Sequence, residues 1–124
     1  MKGEKMFEIA FYRDTNGNEP VKNYIDSLQA KADRSKDSRI KLTKIFTYLE
    51  LLSENGTHIG APYVKHIEGE IWELRPLRDR IFFFAWRKNI FVLLHCFVKK
   101  TQKTPAKEIS QAKRNMQSFI ERNK

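Results

Sequence analysis

Cysteine is almost missing from this chain: Cys96 is the only one in 124 residues. A single thiol excludes an internal disulfide framework and any zinc site built on cysteines. Five glycines and four prolines are too few for a low-complexity chain. The longest apolar run, IFFFAW from Ile81 to Trp86, falls far short of the ~20 residues a membrane helix needs. The opening MKGEKMFEIAFYRD has only a short apolar stretch, broken by Glu8, so no secretory leader and a soluble, cytoplasmic protein are expected. Acidic residues are scarce, 15 against 24 Lys and Arg, leaving a net charge of +9. That excess points to a polyanionic partner, nucleic acid or an anionic membrane surface. The membrane is the weaker choice, because no segment outside the apparent core combines a Lys-rich face with a bulky apolar one.

What is present fits one globular domain spanning residues 1–124. Hydrophobic residues make up 40% and charged residues 31%, and a chain of this length buries roughly two-thirds of its unfolded surface. Phe7, Ile9 and Phe11 alternate within 6–12 and predict a strand. Asn16-Gly17 marks a turn, Asn18 is a candidate N-cap, and Val21, Tyr24, Ile25 and Leu28 follow at helical spacing. A second helix, capped by Asp37 or Ser38, carries Leu42, Ile45, Phe46, Leu49 and Leu52 and stops at Asn55-Gly56. From Tyr63 the period becomes that of strands: 63–67, 70–75, 80–86 and 90–98. Their connections are short enough to force an antiparallel meander. The last two strands are apolar on both faces, so helices are expected on one face and a cleft or a partner on the other. Thr104-Pro105 opens a last helix lined by Ile109, Ala112, Met116 and Phe119. The class is α+β, in the order β-α-α-β-β-β-β-α.

Charge is unevenly placed. Residues 99–124 hold eight basic and two acidic residues, and residues 31–48 hold six and two. Lys99, Lys100 and Lys103, just after a buried strand, and Lys41 and Lys44, on the second helix, are the candidate cations for a nucleic-acid backbone. Most lysines elsewhere read as solvated faces. The chemistry-bearing stretch is ELRPLRDRIFFFAW. Arg75 ends one strand and Arg80 begins the next, which brings two bidentate cations together as a phosphate site. The competing reading is a structural network in which these arginines pair with Glu70, Glu73 and Asp79. The cancelling local charge over 65–80 favours that reading somewhat.

The runs EIWELRPLRDRIFFFAW and FVLLHCFVKKTQKTPAKEISQAKRN, with NGNEPVKNYIDSL and KIFTYLELLSENGTHIGAPYVKHI upstream, closely resemble HigB-type toxins. These form the phage-associated branch of the RelE/ParE superfamily of type II toxin–antitoxin systems. The resemblance spans nearly the whole chain and implies a compact RelE-like sheet packed with helices. It also implies a ribosome-dependent mRNA endoribonuclease acting in the ribosomal A site, with no cofactor or metal. The implied partner is a helix-turn-helix, HigA-like antitoxin, through which the complex would reach operator DNA. By position, Arg75 and Arg80 match the arginines that face the scissile phosphate. Lys99 and Lys100 match basic residues after the last strand, and Lys65 and His66 match a basic pair before the central hairpin. Where some relatives carry a Tyr after Lys103, this chain has Thr104-Pro105.

Cleavage by attack of the ribose 2′-OH needs a base, a cation and an acid, each worth roughly 10²–10⁴ in rate. Arg75 and Arg80 are assigned the charge, and Lys99, Lys100 and Lys103 the positioning of the backbone. His66 is the first choice for proton transfer, because an imidazole titrates near neutrality, with Lys65 or Glu73 as replacements. His95, in an apolar strand, reads first as a satisfied core residue and second as a cleft residue beside Arg75. His58 reads as an exposed loop residue. Trp72, Trp86, Tyr63 and Phe91 read as core or partner contacts before base-stacking platforms. His66, Glu68 and Glu70 are too generic a set to read as a metal site. Two rivals remain: a ParE-like inhibitor of DNA gyrase, and a basic nucleic-acid-binding module without catalysis.

Overall fold

The protein is described here by a computed structural model covering residues 6–124; the first five positions of the leader reading lie outside the described residues. Strand β1 (Glu8–Phe11) is followed by helices α1 (Pro20–Lys31) and α2 (Lys36–Asn55) and a short 3-10 turn, Gly56–Ile59. Strands β2 (Val64–Glu68), β3 (Ile71–Leu74), β4 (Asp79–Trp86) and β5 (Ile90–Val98) come next, and α3 (Ala106–Arg122) closes the chain. The order is the expected one. The caps differ in detail. Glu19 precedes α1, with Pro20 at its first position and no side-chain cap. Asn18 instead donates its backbone N–H to Asp14 Oδ1. Ser35, ahead of both predicted residues, caps α2 by accepting from the Ser38 N–H. Pro105 is the extended residue before α3 and not its first helical one. Gly56 ends α2 with φ +64, as Asn55-Gly56 implied, and a Cβ there would lie 2.8 Å from the Phe7 ring.

The five strands form one sheet in the order β1-β5-β4-β3-β2. The four later strands make the expected meander, while β1 adds to β5 in parallel. Short connections require antiparallel neighbours, but β1 and β5 are separated by α1, α2 and three strands, so the direction of β1 is free of that rule.

Both faces of the sheet are covered by this chain's own helices, which corrects the expectation of a cleft or partner on the second face. Val21, Ile25 and Leu28 of α1 and Ile45, Leu49 and Leu52 of α2 pack on Val64, Leu74, Ile81, Phe83, Phe91 and Leu93. Ile71, Phe82, Phe84, Val92 and Leu94 pack on the opposite side against Ala112, Ile109, Met116 and Phe119 of α3. Strands buried on both faces read as continuous apolar runs for this reason. Tyr63, Trp72, Trp86 and Phe91 all belong to these two clusters. No helix among the described residues is long and apolar enough to cross a membrane.

A bulge in β5 sets which face its second half shows. Phe82 opposes His95 but Phe83 opposes Leu93, so Leu94 is an extra residue. Leu94 and His95 therefore both meet the α3 side, and the buried Asn115 side chain donates to the Leu94 carbonyl at 2.8 Å. That bond satisfies a carbonyl that the disturbed ladder would otherwise leave unpaired.

Candidate functional site

The site grows from the connection between β3 and β4. Pro76 is buried, Leu77 has φ +57, and the Asp79 N–H closes the turn on the Pro76 carbonyl at 3.1 Å. The turn is sewn to the end of β5, because the Lys99 N–H donates to the Arg78 carbonyl and Arg78 Nε to the Lys99 carbonyl. The Arg75 N–H donates to the Tyr63 carbonyl at 2.9 Å. Three segments distant in sequence thus meet at one end of the sheet.

Alternation then sorts the charges. Asp79 and Arg80 are consecutive and point to opposite faces. Asp79, 1% exposed, turns to the two-helix side, where it accepts from the Tyr24 hydroxyl at 2.6 Å and pairs with Lys41 at 3.4 Å. Arg80 turns to the α3 side with Glu73, which stands on β3 in register with Phe82, two residues on from Arg80. Glu73 is also 1% exposed. Its Oε1 lies 3.5 Å from Arg75 Nε and 3.8 Å from Arg80 Nε, and its Oε2 accepts from the Thr104 hydroxyl at 3.5 Å. Of the three carboxylates in the salt-bridge reading, the arginines take Glu73 alone. Arg80 Nη1 donates to the Leu77 and Asp79 carbonyls, each at 2.8 Å. Neither buried Nε has a hydrogen-bond partner. Burial moves the Arg80 guanidinium below its ordinary range, Glu73 opposes that, and the Arg75 charge adds to it; an arginine so shifted is still a cation at neutral pH.

Two grooves open beside this cluster. One, of about 310 Å³, is lined by Arg78, Arg80, Lys99, Lys100, Thr101 and Gln102. The other, of about 440 Å³, is lined by Lys65, His66, Lys99, Lys103 and Thr104 among others. Lys99 and Gln102 border both. A wider groove of about 750 Å³ lies between β1 and α2, and among the described residues its charged lining is Glu8 and Glu50. The two smaller grooves are the ones lined by several Lys and Arg side chains, the residue types that suit a polyanion.

The structure brings together Arg75, Arg80 and Glu73, with Lys65, Lys99, Lys100 and Lys103 around them. Lys65 is the register partner of Glu73 and shares its face. His66, one residue on, pairs with Trp72, its ring 5.1 Å from the indole on the other face. It borders the second groove, and its Nε2 donates to the Gly69 carbonyl at 2.7 Å, which leaves Nδ1 as the basic nitrogen of the neutral ring. His95 is held by Glu108 Oε1 at 2.8 Å, the satisfied arrangement. His58 is exposed.

Lys41 and Lys44 are not brought to this site. Lys41 is drawn into the Asp79 pair with only 20% of its side chain exposed, and its Nζ lies 5.4 Å from the centre of the Tyr24 ring. Lys44 is exposed on α2, in the helical layer on the far side of the sheet from Glu73. Sequence reasoning missed Arg78, Thr101 and Gln102 as groove residues, and Thr104 as a partner of Glu73. Arg78 could have been found, since it stands midway between the two arginines that were chosen. Among the described residues no group of three or more His, Cys, Asp or Glu side chains could hold a metal ion.

Residues 23–117 match the family model of the phage-derived protein Gp49-like (DUF891), from the first turn of α1 to the last turns of α3. The family is associated with RelE-like toxins of toxin–antitoxin systems. No curated protein matches the chain.

Proposed function

The chain belongs to the Gp49-like family, and from that premise we propose that it is the toxin of a type II toxin–antitoxin pair, a HigB-like endoribonuclease that cuts mRNA in the ribosomal A site. One observation carries the reading. Two arginines from a single hairpin share one buried carboxylate at the end of the sheet, beside two grooves lined by cations. That arrangement suits a phosphodiester flanked by further phosphates.

The substrate supplies the nucleophile. Its 2′-OH attacks the adjacent phosphorus, the P–O2′ bond forms and the P–O5′ bond breaks. A 2′,3′-cyclic phosphate and a 5′-OH result. Arg75 and Arg80 stabilise the charge that gathers on the non-bridging oxygens, an effect worth roughly 10²–10³ per donor in related chemistry. Lys99, Lys100, Lys103 and Arg78 hold the neighbouring backbone. Proton transfer falls to Lys65, on the Glu73 face, or to His66 through Nδ1, since both border the same groove. A helix-turn-helix antitoxin would neutralise the protein, and the pair would bind operator DNA through the antitoxin.

The test is a reconstituted translation reaction with an end-labelled mRNA. Cleavage within codons, only on programmed ribosomes and reduced at least 100-fold by Arg75→Ala, is the expected result. Supercoiling inhibition of gyrase with intact mRNA would replace this reading by the ParE-like one. Salt-dependent RNA binding without either activity would leave a binding module.

A further inference from the structure

We propose that Glu73 is a positioning residue that orients the Arg75 and Arg80 guanidiniums, and is not the base that takes the 2′-OH proton. The inference rests on the ribonuclease reading for its kinetic arm and on geometry alone for its binding arm.

Glu73 carries the wrong surroundings for a base. It is 1% exposed, so a ribose hydroxyl has no route to it. Both of its oxygens are engaged, Oε1 by the two Nε groups and Oε2 by Thr104. Around it stand Arg75 at the end of β3, Lys65 of β2 and Phe82 of β4 in register with it, Arg80 of β4, and Thr104 from the segment before α3.

Its surroundings are right for an anchor. Each guanidinium turns its buried Nε to the carboxylate in an ion pair, at 3.5 Å for Arg75 and 3.8 Å for Arg80, which leaves the Nη groups of Arg75 and Nη2 of Arg80 to meet a phosphate. Arg80 is fixed further by the two carbonyls that take Nη1. A planar cation held by one edge loses most of its rotational freedom before substrate arrives, and that preorganisation is what speeds the chemical step. The trio carries a net charge of one positive unit where the arginines alone would carry two.

These two effects oppose each other, and that opposition gives a signature. In Glu73→Gln the volume is kept, the anchor is weakened and the site gains one positive charge. Single-turnover cleavage on programmed ribosomes falls at least 30-fold, while the free protein binds a 2′-O-methylated, uncleavable RNA oligonucleotide as tightly as the wild type or several-fold more tightly. The acid limb of the rate–pH profile stays in place, because the group that titrates is elsewhere. Thr104→Val removes only the hydroxyl on Oε2 and lowers the rate about 3–10-fold with binding unchanged, a milder change should Glu73→Gln fold poorly. Loss of the acid limb in Glu73→Gln, an undiminished rate, or RNA binding weakened as much as the rate would each overturn the proposal. If the wild type cuts no mRNA, the ribonuclease reading fails, and the binding comparison still decides whether Glu73 restrains the arginines' charge.

Discussion

The Tyr24 hydroxyl donates to Asp79 Oδ1 across 2.6 Å, joining α1 to the first residue of β4. The same oxygen pairs with Lys41, and Oδ2 has no hydrogen-bond partner. This buried contact fixes Asp79 on the two-helix side. By alternation it holds its strand neighbour Arg80 toward the basic groove that Arg78 also lines.

Removal of that hydroxyl in Tyr24→Phe should cost about 1–3 kcal/mol, the price of a buried carboxylate losing its best partner. The loss is measured by urea unfolding at neutral pH. An alkaline signature accompanies it. Burial, and then the Asp79 carboxylate, push the Tyr24 ionisation far above its ordinary value near 10. A group whose folded value is raised contributes its full stability below the unfolded value, and loses it as the pH climbs above about 10. Wild-type stability should therefore fall more steeply above pH 10 than that of Tyr24→Phe.

Two lysines on one helix should separate cleanly. Lys41→Met leaves the Asp79 charge buried with one partner fewer and should destabilise the fold by about 1–3 kcal/mol. Lys44→Met, at an exposed position, should stay within about 0.5 kcal/mol of wild type. Thermal melts of the two variants in one buffer make the comparison.

Arg78 and Arg75 should differ in kind. Arg78 lines a groove but does not touch Glu73, so Arg78→Ala should weaken RNA binding at every sequence. The salt dependence, plotted logarithmically, should become shallower by about 0.7. Arg75→Ala should lower the cleavage rate at least 100-fold under saturating conditions. A fluorescence titration at several salt concentrations reads the first, and single-turnover cleavage the second.

Cys96 should be inert. Burial, and then Asp79 and Glu108, raise its thiol to about 12. At pH 8 it therefore holds roughly 10³-fold less thiolate than an unperturbed cysteine. Alkylation by iodoacetamide should be correspondingly slow in the native protein and fast in urea. Native-state reaction at the rate of a free thiol would contradict the burial.

Local spacing carried much of the architecture. The helical pattern from Val21 to Leu28, the Asn55-Gly56 stop and the short gaps between strands each depend on residues within a few positions, and each appears as expected. Part of the site followed too. A four-residue connection between strands must bring Arg75 and Arg80 together, whatever the rest of the chain does. The choice of Glu73 over Glu70 and Asp79 was within reach as well, since Glu73 and Arg75 stand two apart on one face and Asp79 and Arg80 do not.

Other features depend on what arrives from far along the chain. The parallel seat of β1, the second face covered by α3, the Leu94 bulge that turns His95 toward Glu108, and the capture of Lys41 by Asp79 leave no trace in local periodicity. Each is a competition among distant partners for a buried surface or a buried charge, decided by packing and desolvation once the sheet has formed. The sequence determined the elements and the charges they carry; the tertiary structure decided which cations pair with buried carboxylates and which line the open grooves.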